Sequence, residues 1–99
     1  LFHTLHWRPD RIAHIEKKHG INTEEVEEAV FDDPRCLLLR GPRSESRADK
    51  YIYYALGRTA GGRYLVVVLL DEGNGIAMPV TARDMVPVER RRYERRKKK

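Results

Sequence analysis

Apolar and polar positions along this chain change period once, near Asp33-Pro34. Before that point the spacing is helical. Ile12 and Ile15 fall on one side of a stretch from Asp10 to His19, and Val26, Ala29 and Val30 form a stripe in a second stretch. Pro9 sits where a helix can begin, because its missing N–H would go unpaired there. Gly20, free to take positive φ, ends the first helix. Asn22 or Thr23 caps the second, and Asn22 with Glu25 three residues on has the pattern of a capping box. Asp32-Asp33-Pro34 ends it. Phe2 to Trp7 alternates loosely and reads as a short strand.

Beyond Pro34 the pattern is that of strands. Arg35 to Arg40 is the first, and Gly41 to Asp49 reads as a polar, mobile loop. Lys50 to Arg58 and Arg63 to Asp71 are two strands joined around Ala60-Gly61-Gly62, a hairpin signal. Tyr64 to Leu70 is apolar on both faces, which predicts a central strand covered on both sides. Glu72-Gly73-Asn74-Gly75 makes the next turn. Ile76 to Arg83 is the last strand, and Pro79 places it at an edge or on a bulge. Asp84 can cap a final helix that tolerates Pro87 in its first turn. The predicted order is β-α-α-β-β-β-β-α. This is an α+β fold, a small antiparallel sheet with two N-terminal helices and one C-terminal helix.

Size and composition narrow the classes. The 99 residues predict one domain over 1–99 with one modest core. No stretch approaches the roughly 20 apolar residues of a membrane helix. The single Cys36, beside Leu37-Leu38-Leu39, reads as a small buried hydrophobe. Alone it forms no internal disulfide, which fits a reducing cytoplasm. Charge changes the picture more. Val88 to Lys99 holds eight Lys/Arg and two Glu, or +6, against +5 for the whole chain, so residues 1–87 sum to −1. The basicity is local. A concentrated positive face on a small domain points to a polyanion, RNA or DNA. A solvated helix that merely aids solubility is the alternative. The Lys97-Lys98-Lys99 tail is expected to fray.

Four histidines raise the question of metal. His3 and His6, three apart on a strand, point to opposite faces. His14 and His19, five apart on a helix, stand about 140° from each other. Neither pair converges on one ion locally, and no metal or other cofactor is expected. A glycine-rich phosphate loop and a Gly-x-Ser-x-Gly elbow are both absent from the sequence.

Arginine is the better lead. Arg83 and Arg58 each close a core-forming strand. Each either pairs with a carboxylate or reaches a ligand anion, and the spacing leaves both open. Arginine stays protonated, so proton transfer would fall to Glu89, His19, Asp84 or Tyr93. Tyr93 lies four residues after Glu89 on one helix face, where the two could also be a surface pair. His19 before Gly20 could serve only the negative end of its helix. Tyr51, Tyr53 and Tyr54 are expected in core and sheet-surface roles ahead of base stacking.

Several stretches, taken in order, resemble the BrnT family of toxins from bacterial toxin–antitoxin pairs. They are Trp7-x-Pro9-x-Arg11, Lys18-His19-Gly20-Ile21, and Thr23-x-Glu25-x-x-x-Ala29-x-Phe31-x-Asp33-Pro34. Ala55-Leu56-Gly57-Arg58-Thr59, Gly62-Arg63-Tyr64-Leu65-Val66-Val67, and Thr81-Ala82-Arg83 leading to Glu89-Arg90-Arg91-Arg92-Tyr93-Glu94 follow. The resemblance implies a RelE-like fold and metal-independent cleavage of RNA that halts translation, with messenger RNA, free or ribosome-associated, as the substrate. It implies an antitoxin that covers the toxin and carries a DNA-binding segment, in a 2:2 assembly. It places function on Arg58, Arg83 and Glu89, with His19 and Tyr93 at matching positions. Met78-Pro79-Val80 departs from the basic-apolar approach usual before the last arginine.

On this reading Arg83 and Arg58 stabilise the phosphorane formed when the 2′-hydroxyl attacks, and Glu89, or else His19, takes the proton. The products are a 2′,3′-cyclic phosphate and a 5′-hydroxyl. Arg90, Arg91, Arg92, Arg95 and Arg96 hold flanking RNA phosphates. Two other readings use the same helix: a nucleic-acid-binding module without catalysis, and an interaction protein whose basic face docks an acidic partner.

Overall fold

The computed structural model describes residues 1–45 and 49–97, the last two of these by backbone alone. Its elements run β1 (Thr4–Leu5), α1 (Pro9–His19), α2 (Thr23–Glu27) continued by a π-helical turn (Glu28–Asp32), β2 (Leu37–Arg43), β3 (Tyr51–Arg58), β4 (Tyr64–Gly73), β5 (Ile76–Asp84) and α3 (Pro87–Lys97). The predicted order and α+β class hold. The sheet is mixed, however, with strand order β1-β5-β4-β3-β2. β2 to β5 are antiparallel neighbours, and β1 joins β5 in parallel.

The predicted helix ends are present. Pro9 opens α1, and Gly20, at φ 64°, closes it by donating its N–H to the Glu16 carbonyl. Asn22 Oδ1 accepts the Glu25 N–H at 2.8 Å while Glu25 Oε1 accepts the Asn22 N–H at 3.1 Å, completing the capping box. The π turn went unforeseen: the Asp33 N–H reaches back five residues to the Glu28 carbonyl. Gly57 makes room for it, since a Cβ there would collide with the Ala29 backbone.

Three expectations about element bounds and caps need correction. The first strand is only Thr4–Leu5, not Phe2 to Trp7. β2 runs on through Arg43, into the stretch read as a loop, and residues 46–48 of that loop lie outside the described residues. Of the two placements that Pro79 allowed for β5, the structure takes the bulge, since β1 flanks β5 and it is no edge. Pro79 is buried beside a bulge, where Val80 lacks a register partner between Thr81 and Pro79. Asp84 does not cap α3; its carboxylate pairs with Arg63, and α3 starts three residues later at Pro87. Cys36 is half-buried and packs against the main core. Lys98 and Lys99 lie outside the described residues. No helix among those described is long and apolar enough to cross a membrane.

Alternation along the strands creates two unlike faces. On one, Ala55, Leu65, Val67, Leu69, Ala77 and Ala82 pack under Ile15, Ile21, Val26 and Ala29 from the N-terminal helices. This is the main core. On the other, Leu56 and Val66 meet Tyr93 of α3 in a smaller cluster that Tyr64 and Met85 flank. β4 is therefore covered on both sides near Val66, as its unbroken apolar run predicts.

Candidate active site

The site forms where the ends of β3 and β5 meet α3. Arg58 and Tyr64 flank the β3–β4 hairpin and stand directly opposite each other. Arg83 pairs across the sheet with Val66, so Arg58, Tyr64, Val66 and Arg83 share the face under α3. α3 turns Glu89, Arg90, Tyr93 and Glu94 toward that face, positions one, four and five apart on a helix. Arg91, Arg92 and Arg95 remain exposed. Arg90 is exposed as well, but its guanidinium lies over the Tyr64 ring.

Arg83 resolves the choice left open by its position. Its Nη1 and Nη2 donate to Glu89 Oε1 and Oε2, both at 2.8 Å. Glu89 Oε1 also accepts the Val86 N–H at 2.9 Å, at the start of α3. The fork from Arg83 holds the Glu89 carboxyl below its ordinary range, partly offset by burial. Glu89 in turn raises Arg83 further above neutrality. Glu89 and Tyr93 are not a helix-surface pair, because each bonds elsewhere.

Arg58 meets a different environment. Its Nε donates to the Gly62 carbonyl at 3.2 Å, and its guanidinium lies 4.6 Å from the centre of the Tyr64 ring. The Arg90 guanidinium lies over the same ring at 4.0 Å. Neither arginine is paired with a carboxylate among the described residues. The Tyr64 hydroxyl donates to Glu94 Oε1 at 2.9 Å, and Tyr93 meets the Tyr64 ring edge-on at 5.8 Å. Two uncompensated cations are therefore held over one aromatic ring.

Tyr93 is buried, and its hydroxyl donates to Asp33 Oδ2 at 2.7 Å. Burial, and then this bond, push its hydroxyl far above the usual tyrosine range. Asp33 also accepts the Arg58 N–H on Oδ2 and the Arg35 N–H on Oδ1, both at 2.9 Å. It joins the π turn, β3 and α3. Through this bond Tyr93 ties α3 to the π turn.

His19 stands apart. It closes α1 on the main-core side of the sheet, near Asp84, whose carboxyl is lowered chiefly by its hydrogen bonds from Arg63. Arg63 occupies the carbonyls there: its Nη2 donates to His19 O at 3.0 Å and its Nη1 to Gly20 O at 2.9 Å. Its Nε and Nη2 hold both oxygens of Asp84. Asp84 and Arg83 are adjacent, so they point to opposite faces and separate His19 from Glu89. The rings of His14 and His19 do approach, edge to face at 6.1 Å, despite their angular offset on the helix. Among the described residues no group of His, Cys, Asp and Glu is arranged to hold a metal ion.

The structure thus gathers Arg58, Arg83, Glu89 and Tyr93, and adds Arg90 from the helix. It leaves His19 outside. The Arg96 side chain lies outside the described residues. Tyr53 packs edge-on against Phe2 at 5.2 Å, and Tyr51 lies under Arg40 and Arg43, so neither serves this site. Asp33, Tyr64 and Arg63 were missed. Tyr64 was legible, because a hairpin across Gly61-Gly62 sets it opposite Arg58. Asp33 carried no signal beyond ending a helix.

Fold and site together define a small α+β domain with arginines gathered where a sheet end meets a basic helix. The family described as the ribonuclease toxin BrnT of type II toxin–antitoxin systems matches residues 7–89, and the chain belongs to that family. The match stops at Glu89, so Arg90, Tyr93 and the exposed arginines lie beyond it. Comparison with individually curated proteins gives no match.

Proposed function

We propose that the chain is an endoribonuclease that binds RNA phosphates at Arg58 and Arg90 and cleaves by 2′-hydroxyl attack through the Arg83–Glu89 pair. The observation that carries this is the pair of uncompensated guanidiniums over Tyr64, beside a carboxylate kept ionised by a forked arginine. Guanidiniums without carboxylate partners are the groups that phosphate oxygens fit best.

The resting Arg83–Glu89 pair is neutral overall. When the 2′-hydroxyl attacks phosphorus, its proton passes to Glu89, the O2′–P bond forms and the P–O5′ bond breaks. Protonation weakens Glu89's hold on Arg83, whose freed N–H groups turn to the developing charge on phosphorus. The departing 5′-oxygen takes its proton from water. The products are a 2′,3′-cyclic phosphate and a 5′-hydroxyl. Deoxyribose lacks the nucleophile, so DNA is not cut. The partner is a cognate antitoxin, and Arg91, Arg92 and Arg95 hold flanking phosphates.

The saturated hydrogen bonding of Glu89 favours one rival reading, a binding module in which Arg83 and Glu89 only pin α3. The test is cleavage of labelled single-stranded RNA in EDTA, with and without ribosomes, beside DNA of the same sequence. RNA cut to a cyclic phosphate, with a loss of about 10²–10³ in Arg58→Ala, supports the enzyme. RNA bound but intact in both conditions supports the binding module.

A further inference from the structure

Among the described residues, the face of the sheet that carries the site is only half covered. α3 lies over the end with Leu56 and Val66. Beyond it, Ile52, Tyr54, Val68, Leu70, Met78 and Val80 floor an open groove of about 630 Å³ that crosses β3, β4 and β5. Arg8 and Arg11 wall one end, and Arg43 together with Glu45 the other. Arg8 and Arg11 both lean on the single carboxylate of Asp10, at 3.1 and 3.5 Å.

Polar atoms at this groove are incompletely satisfied. Among the described residues, Thr81 Oγ1 is buried with no hydrogen-bond partner, and Arg11 Nε has only its 3.5 Å ion pair with Asp10. Native structures satisfy nearly all such atoms. Arg11 walls the groove, and Thr81 follows Val80 and pairs with Val68 of its floor.

The chemistry selects among occupants. Five of the six floor side chains are aliphatic, and the ring of Tyr54 is packed against Gly41. Bases stack on aromatic or guanidinium planes, so the floor suits apolar side chains instead. A second copy offers Val86 and Val88, which sit beside Arg90 and Arg91 and bring like charge, and Phe31 beside Asp32 and Asp33, a single apolar side chain that is too small to span three strands. An apolar segment flanked by carboxylates meets both the floor and the arginine ends. We infer that this groove is the docking site of the antitoxin, which lays an apolar segment across β3 to β5 with acidic residues against Arg8, Arg11 and Arg43. This rests on the toxin–antitoxin reading above. It separates the two partners: antitoxin on the open half of the sheet, RNA at α3, with Arg83 near the boundary.

The experiment titrates labelled full-length cognate antitoxin with the whole chain at fixed salt and measures RNA binding in parallel. R8E/R11E/R43E changes surface arginines. It is expected to weaken antitoxin binding at least tenfold and leave RNA binding at the parent level, with an unchanged circular dichroism spectrum. R91E/R92E/R95E is expected to do the reverse. A second groove variant, Val80→Asp, should reproduce the antitoxin loss without touching an arginine. Parent-strength antitoxin binding by both groove variants would overturn the inference. So would loss of RNA binding in place of antitoxin binding, or a parent dimer that the groove variants dissolve. A parent chain that binds no antitoxin would instead refute the partner reading itself, and the inference with it.

Discussion

Glu89 is held on both oxygens by Arg83 and on one of them by the Val86 N–H. This makes it an ionised acceptor across the neutral range, and the sign of its pH dependence follows. A base must be deprotonated, and Glu89 loses its proton below the ordinary glutamate value of about 4.3. Cleavage should be flat from about pH 6 to pH 8 with respect to this group and fall only on the acid side, below pH 4.3. Glu89→Gln should lower the rate throughout and remove that acid limb, as a rate–pH profile would show. Tyr93 tests a different role. Tyr93→Phe keeps the ring against Tyr64 but deletes the donor to Asp33. It should cost about 1.5–3 kcal/mol, the range for a hydrogen bond to a charged group, in urea denaturation. Cleavage by the fraction that stays folded should remain near the parent rate. A loss of a hundredfold or more with unchanged stability would make Tyr93 a proton-transfer group.

At the scale of elements, α3 is an unusual helix because polar links fasten most of it. Tyr93 supplies its buried apolar surface, while Val88 is 61% exposed. Arg83–Glu89, Tyr64–Glu94 and Tyr93–Asp33 supply the rest of its hold. The carboxyls of Glu89 and Asp84 are both depressed by arginine. Their contribution to stability is therefore present above the unfolded-state values, about 4.3 and 3.9, and is lost as pH falls through the lower folded values. The thermal midpoint should be level from pH 6 to 5 and decline below about pH 4, with less decline in Glu89→Gln. The π turn makes a second element-scale prediction. Gly57→Ala drives a methyl into the Ala29 backbone, which has no flexible side chain to yield. It should cost about 1–3 kcal/mol or more by thermal denaturation, and cleavage should fall with it, because Asp33 leaves its place under Arg58 and Tyr93.

Over the whole molecule, charge and cleft are organised by face. Arg91, Arg92 and Arg95 point outward from α3 and meet only solvent or a polyanion. Replacing all three with Gln should reduce the slope of log binding constant against log salt by about 2, at roughly 0.7 per single-strand phosphate. Fluorescence anisotropy at several salt concentrations would measure it. An unchanged slope would return these residues to a solubility role. Periodicity made the α+β class and the buried strand legible, and charge made the basic helix so. The capping box and the Gly20 stop were also legible, since both arise within a few residues of chain. The mixed sheet was not, because two residues of β1 carry no pattern strong enough to set strand direction. Asp33 was illegible for the same kind of reason, since its three donors come from Arg35, Arg58 and Tyr93.

By itself the sequence determined which helices and strands form, where α1 stops and α2 starts, and that +6 of charge gathers after Pro87. These are consequences of local backbone preference and of side-chain spacing along one element. Tertiary structure decided which arginine is spent and which is free. Arg58 and Arg83 look alike at their strand ends, but α3 brings Glu89 to one and the Tyr64 ring with Arg90 to the other. It also decided that His19 and Glu89 stand on opposite faces of the sheet, and that, among the described residues, half of one face stays open. Such choices depend on distances between elements far apart in the chain, and no spacing within a single element contains them.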